Sequence, residues 1–283
     1  MTSDMIGGVP YSLADRDVKL TKGVGKDLKG LAFEAVGLDP HDLVMEDLLI
    51  ASVPVTAGQS IISGFSESVS AVAEHLGARS FVTGRTDVSG FYDAISAGAD
   101  IVFMADDQEF VAFNVRAGKA VDNVRSTALG YFTALRLAVG SLDGREVLLI
   151  GAGRVGSRAA DLLDVAGARV TVVDKDRERI ESLLRTHRSF NYENDLEAAI
   201  RRSSLIYNAS PARIPGEWVK EGAIVVSPGM PYSFDEEGER KIAILVHDPL
   251  QIGVAVMAVW SASLSLEKTS FPHHVRAEME VIS

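Results

Sequence analysis

Residues 147–176 read VLLIGAGRVGSRAADLLDVAGARVTVVDKD. A four-residue apolar run enters a glycine-rich turn, a helix of Ala and Leu follows, and a second apolar run ends in an acid. Gly151, Gly153 and Gly156 stand at G-x-G-x-x-G spacing with Arg154 and Val155 between them. In such a loop the first glycine permits the tight turn, the second lets backbone approach a pyrophosphate, and the third lets helix and strand close on each other. The N-terminus of the helix then offers unpaired N–H groups to the phosphates. Asp174 closes the second run, where a carboxylate can accept hydrogen bonds from an adenosine ribose and repel a 2′-phosphate. NAD is therefore expected rather than NADP, with Lys175 and Arg177 as the opposing signal. A glycine loop alone is weak evidence; strand, loop, helix, second strand and terminal acid in register make a strong one.

The pattern extends in both directions. Short apolar runs at 48–55, 80–84, 101–105, 205–209, 224–227 and 242–246 alternate with helical segments. Runs that are apolar at every position suit strands covered on both faces, as in parallel sheets. The expected fold is α/β: a C-terminal Rossmann domain with a doubly wound parallel sheet, plus an N-terminal α/β substrate domain. The boundaries expected are 1–121 for the substrate domain, 122–141 for a connecting helix, 142–248 for the NAD-binding domain, and 249–283 for a late helix returning to the first domain, with a tail. Residues 12–37, rich in lysine, suggest one or two surface helices interrupted at Gly23 and Gly25. Ligands of doubly wound sheets bind beyond the carboxyl ends of the strands. Asn208, Ala209 and Ser210 after one run, and Ser227, Pro228 and Gly229 after the next, are thus further cofactor candidates.

Composition removes other classes. The chain has 283 residues, 47% hydrophobic and 24% charged, with a net charge of −11. That acidity disfavours a phosphate-backbone binder, so no nucleic-acid partner is expected. The absence of cysteine removes disulfides and thiolate chemistry and suits a reducing compartment. The N-terminus lacks a basic, then apolar, leader, and the apolar segment 254–266 is too short to span a bilayer, so a cytoplasmic protein without a membrane partner is expected. The six histidines show no ligand spacing, and no metal is assigned.

The N-terminal half carries the substrate candidates. In VPVTAGQSIISGFSES (53–68) a strand ends near Val55, so Thr56 to Gln59 fall on its carboxyl edge. Phe65, Val69, Val72 and Leu76 mark the buried stripe of the next helix. The serines then gather at that helix N-terminus, where one or two would cap it and the rest would face a polar ligand. IVFMADD (101–107) ends in two acids, Asp106 and Asp107, of which one can aim into a cleft while the strand stays extended. A carboxylate there could hold an ammonium and take its proton, as amine oxidation requires, because a free alkylammonium with a pKa of about 10 lacks the lone pair that drives hydride loss.

Three segments, VPVTAGQSIISGFSESVSAVAEHLG, DVSGFYDAISAGADIVFMADDQEFVAFNV and VLLIGAGRVG, together resemble the PylD family of pyrrolysine-biosynthesis dehydrogenases. The resemblance implies NAD-dependent oxidation of the terminal amine carbon of 3-methyl-D-ornithyl-N6-L-lysine, a small-molecule isopeptide, followed by ammonia release and ring closure to pyrrolysine. It implies Asp106 as the substrate-contacting and catalytic acid, and it places Phe65 and the loop bearing Thr56, Ala57, Gln59 and Ser60 at the substrate. Ala57-Gly58 is a departure, since the family carries Ser-Gly there. The residues by themselves leave open another NAD-dependent amino or imino acid dehydrogenase of the same architecture, a non-catalytic NAD-sensing module, and a homodimer.

Overall fold

Helix α1 (Val9–Val24) gives way to α2 (Leu28–Val36) at Gly25, whose φ of 76° is left-handed backbone. Asp27 caps α2 by accepting from Gly30 N at 2.6 Å, and Gly37 ends it with φ 71°. The structure is a computed structural model that describes residues 6–56 and 63–266. The expectation of surface helices fails for α2: Leu28, Leu31, Ala32, Phe33, Ala35 and Val36 are all buried. Its charges, Lys29 and Glu34, reach ion pairs at the margin with Glu46 and Lys26, which hides a core helix behind a polar sequence.

A five-stranded sheet follows. Its strands are β1 (Leu49–Val53), β2 (Arg79–Val82), β3 (Ile101–Ala105), β4 (Phe110–Asn114) and β5 (Lys119–Asp122), in the order β2-β1-β3-β4-β5. Helices α3 (Phe65–His75) and α4 (Asp87–Ser96) cross between the first three strands, which are parallel. The uniform βα repeat expected from the apolar runs breaks here, because β3, β4 and β5 pair antiparallel as consecutive hairpins. The sheet is mixed.

Helix α5 (Asn123–Val139) leads from this sheet into a second one. There β6 (Glu146–Ile150), α6 (Arg154–Val165), β7 (Arg169–Val173), α7 (Arg177–Thr186), β8 (Asn191–Tyr192), α8 (Leu196–Arg202), β9 (Leu205–Asn208), β10 (Ala223–Val226), α9 (Glu236–Lys241) and β11 (Ile242–Val246) succeed one another. The strand order β11-β10-β9-β6-β7-β8 is parallel throughout. This is the doubly wound Rossmann arrangement, with its switch point between β6 and β9.

The last described helix, α10 (Gln251–Ser263), is buried along every residue, as a helix apolar all round must be. It belongs to the unit of the first sheet. Asn114 Nδ2 donates to Ser261 O at 2.7 Å, and a Cβ at Gly253 would stand 2.6 Å from Thr127 Oγ1. Close packing fixes glycine at that position. Each buried Ile, Val or Met of α10 contributes about 1.5–3 kcal/mol by leaving water.

By compactness, residues 6–19, 26–56, 63–127 and 249–266 form one unit, and residues 20–25 and 128–248 the other. No helix among the described residues is long and apolar enough to cross a membrane.

Candidate active site and cofactor site

The glycine loop is built as its spacing requires. Gly151 has φ 95° and donates to Val173 O at 2.8 Å, which ties β6 to β7 at the turn; a Cβ there would meet the Ala209 backbone at 3.1 Å. At Gly156 a Cβ would lie 1.9 Å from Gly151 O, so any side chain breaks the turn. Gly153 differs, since the nearest atom to a Cβ there is Arg179 Nη1 at 3.6 Å. Only the far end of that flexible side chain borders it, which leaves the room a pyrophosphate needs. Gly153 is also the N-cap of α6 and offers no side chain to its first N–H groups, which leaves them for an anion.

Beside this loop lies a cavity of about 430 Å³ lined by Gly151, Gly153, Asp174, Arg179, Ala209 and Ser210, among others. Asp174 accepts from Ala152 N at 2.6 Å and from Asp176 N at 2.8 Å, so its carboxylate is braced at the end of β7 between the loop and α7. Arg177 is drawn aside by Glu181 at 3.1 Å. Arg179, Asn194, Leu196, Pro211 and Ala212 also line the cavity and were absent from the sequence expectation. Arg179 could have been found one helical turn after the N-cap Asp176, whose carboxylate it meets at 3.1 Å.

Asn208 is fully buried and its side chain is used within the fold: Nδ2 donates to Ser227 Oγ at 3.1 Å and Ser233 Oγ at 2.9 Å, and Oδ1 accepts from Ser210 N. Gly229 N donates to Asn208 O at 3.1 Å, and a Cβ on Gly229 would meet Ser210 O at 2.3 Å. The loops after β9 and β10 are thereby locked together. Ala209 and Ser210 reach the cavity, whereas Asn208, Ser227, Pro228 and Gly229 form the structure behind it, and Arg154, Val155 and Gly156 also lie outside its lining.

In the first unit, Val53 pairs with Met104 in parallel register. Thr56 and Asp106 follow those residues, so both lie at the carboxyl edge of adjacent strands. Phe65 opens α3 and packs edge-on against Phe110, centroids 5.1 Å apart, and Phe110 is paired with Ala105 across the hairpin. The structure thus gathers Thr56, Phe65 and the Asp106 turn. Ala57, Gln59 and Ser60 lie outside the described residues.

Asp106 occupies a tight turn in which its N–H donates to Glu109 O at 2.9 Å. Its carboxylate accepts from Gln108 N at 2.7 Å and Glu109 N at 2.8 Å. The N–H of Glu109, then that of Gln108, hold the acid below the usual carboxylate range. It is an exposed anion fixed in direction, suited to a cation. Thr56 is held by an acid that the sequence did not flag: its N–H donates to Asp87 Oδ1 at 2.8 Å and its hydroxyl to Oδ2, while Asp87 N donates to Pro54 O at 2.9 Å. With its proton so engaged, the Thr56 oxygen meets a ligand as an acceptor. Asp87 has φ 55°, the one left-handed non-glycine among the described residues, a strained conformation sustained by these bonds.

The expected serine cap of α3 is not made. Gly64 is its N-cap, with φ 84°, and no side chain caps the helix. Ser68 Oγ instead donates to Ile6 O, and Ser70 Oγ to Ser80 Oγ.

Comparison with known proteins finds matches to both halves of the chain. A family model described as "Pyrrolysine biosynthesis protein PylD, N-terminal domain" matches residues 5–121, and one described as "Putative NAD(P)-binding" matches 139–215. The pyrrolysine synthase of Methanosarcina acetivorans is 33% identical over 260 residues, covering 91% of this chain and 97% of the relative. That of Methanosarcina barkeri is 31% identical, covering 91% and 95%. Among solved structures, shikimate 5-dehydrogenase of Thermus thermophilus, in complex with NADP(H) and shikimate, superposes with a TM-score of 0.51 at 17% identity, covering 83% of this chain and 99% of that one. Shikimate dehydrogenase of Aquifex aeolicus gives 0.50 at 14%, covering 85% and 99%. At these identities the two structures speak for the fold. The Rossmann sheet, its glycine loop and the family matches define a nicotinamide-dependent oxidoreductase. Within that class, the chain belongs to the PylD family of pyrrolysine biosynthesis proteins.

Proposed function

We propose that the protein oxidises the terminal amine carbon of 3-methyl-D-ornithyl-N6-L-lysine with NAD, releases ammonia and lets the product close to pyrrolysine. The observation that carries this reading is the gathering of Thr56, Phe65 and Asp106 at one sheet edge, within the segment that matches the family's N-terminal domain. In this reading residues 1–121 hold substrate, 142–248 hold cofactor, 122–141 connect them, and 249–283 comprise the helix that returns to the first, and a tail.

NAD bound at the glycine loop supplies the hydride acceptor. Asp106 holds the substrate ammonium, and its turn N–H groups keep it ionised while it does so. Oxidation needs the free amine, so the proton leaves through Asp106 to water before hydride departs. Hydride loss gives R–CH=NH2⁺; water then adds, ammonia leaves, and the neighbouring ornithine amine condenses on the aldehyde with loss of water. Phe65 shields the reacting carbon, and Thr56, Gln59 and Ser60 fix the isopeptide's polar groups, compensating for the hydroxyl that Ala57 lacks.

Asp174 selects NAD, because a carboxylate braced at the end of β7 repels a 2′-phosphate, and Glu181 holds Arg177 away. Asp174→Ser is expected to raise the KM for NAD about tenfold, the worth of one charge-assisted hydrogen bond, and to narrow the preference over NADP. The decisive experiment supplies NAD and the isopeptide and follows NADH absorbance with the mass of the product. Reduction of NAD with amino acids but not with the isopeptide would defeat the proposal.

A further inference from the structure

A second cavity of the Rossmann unit is on the wrong side of the sheet for a cofactor. It has a volume of about 540 Å³, against about 430 Å³ beside the glycine loop, and it is formed at the amino ends of β6, β7, β8 and β9. Leu149 and Ile150 of β6 stand between its lining and Gly151, about 10 Å of strand from Leu148 to the loop. Ligands of doubly wound sheets bind at the other end, so the cofactor does not account for it.

Its lining is cationic in an acidic chain. Arg145 before β6, Arg169 opening β7, Arg202 closing α8 and Lys220 before β10 surround it, against one lining carboxylate, Glu146. Arg169 meets Glu146 at 3.4 Å, but the two side chains are 67% and 84% exposed, a pair of negligible worth that an anion can displace. Arg202 meets Glu193 at 2.8 Å, and Lys220 donates to Ser204 Oγ at 2.9 Å. Arg145 makes no ion pair among the described residues, while its backbone is fixed at both ends: its N–H donates to Leu142 O at 3.0 Å and its carbonyl accepts from Arg169 N at 2.8 Å. Four cations thus approach one cavity from four separate points of a rigid sheet edge, where like charges gain nothing from each other.

We propose that this cavity is a second ligand site, for a small polyanion of the di- or triphosphate class. The Arg145 and Arg169 forks can each take phosphate oxygens in pairs, with Lys220 as a third cation, and several cations at spaced points favour a ligand with more than one charged group. The site is independent of the glycine loop and of the reaction proposed above.

Inorganic tripolyphosphate, titrated calorimetrically into the full chain saturated with NAD, tests this with the glycine loop already filled. One equivalent is expected to bind, with affinity falling as salt rises. Arg145→Gln with Lys220→Gln should weaken binding at least tenfold while leaving the thermal midpoint of the ligand-free protein and the KM for NAD unchanged. Neither substitution strands a paired carboxylate. Absence of binding once NAD is saturating overturns the proposal, since the phosphate would then have been seen at the glycine loop, and so does equal affinity in the double variant.

Discussion

The glycine loop after β6 and the turn after β3 are opposites in charge and alike in construction. The first aims backbone N–H groups of α6 at open space, where an anion fits. The second turns the N–H groups of Gln108 and Glu109 inward onto Asp106 and so presents a carboxylate, where a cation fits. In one the backbone meets the ligand, with Gly151 and Gly156 fixed by packing and Gly153 by the approach it leaves open; in the other the backbone only aims a side chain. The first tolerates no Cβ at Gly151 or Gly156, while the second tolerates any change that keeps the charge and the turn.

The largest effect is expected where backbone geometry is absolute. Gly156→Val places a Cβ against Gly151 O, and NAD binding should be lost, read by titration of NADH fluorescence beside circular dichroism to confirm the fold. Gly153→Ala, in open space, should keep the fold and weaken NAD by about tenfold, roughly 1.4 kcal/mol. Equal losses from both would dissolve the distinction between a glycine needed for packing and one needed for approach.

Asp106→Asn keeps the turn's shape and removes its charge. A fall of about a hundredfold in kcat/KM for the isopeptide is expected, with the dissociation constant of NAD unchanged. Intact turnover would remove Asp106 from the mechanism.

The pH profile sharpens the same point. A folded-state pKa below the unfolded value of about 3.9 means that the turn's stabilisation by Asp106 is present above that value and is lost only as pH falls through the lower folded pKa. Asp106 is therefore charged across the working range, and kcat/KM should climb with pH toward the amine's pKa of about 10.4. An inflection between about 5 and 8 that vanishes in Asp106→Asn would contradict this.

The smallest effect is expected at Phe65→Leu, which keeps an apolar side chain and loses the edge-on contact with Phe110. Its cost is about 0.5–1.5 kcal/mol, seen in thermal unfolding, with KM for the isopeptide raised more than kcat is lowered.

The same contrast explains what was legible in the sequence. Gly151 and Gly156 follow from backbone sterics, and Gly153 and Asp174 stand at fixed spacing from them, so spacing revealed all four and the Rossmann order with them. Asp106 was visible as the end of an apolar run, but its fixing by the two following N–H groups depends on a hairpin, and β4 and β5 were missed because antiparallel pairing leaves no helix between strands to mark it. Asp87 gave no signal, since a left-handed aspartate is an outcome of the bonds it makes to Thr56 and Pro54. Gly64 took the cap of α3 from its serine neighbours, because left-handed entry suits glycine better than any hydroxyl.

Helix α10 completes the unit of the first sheet, yet residues 128–248, which build nearly all of the second, precede it in the chain. During synthesis at about 5–20 residues per second, the Rossmann sheet has all its strands in hand while the earlier sheet still lacks the helix that seals α2 and β4. Until residues 251–263 emerge, the apolar faces that α10 covers in the earlier unit are the ones in need of shelter from other chains.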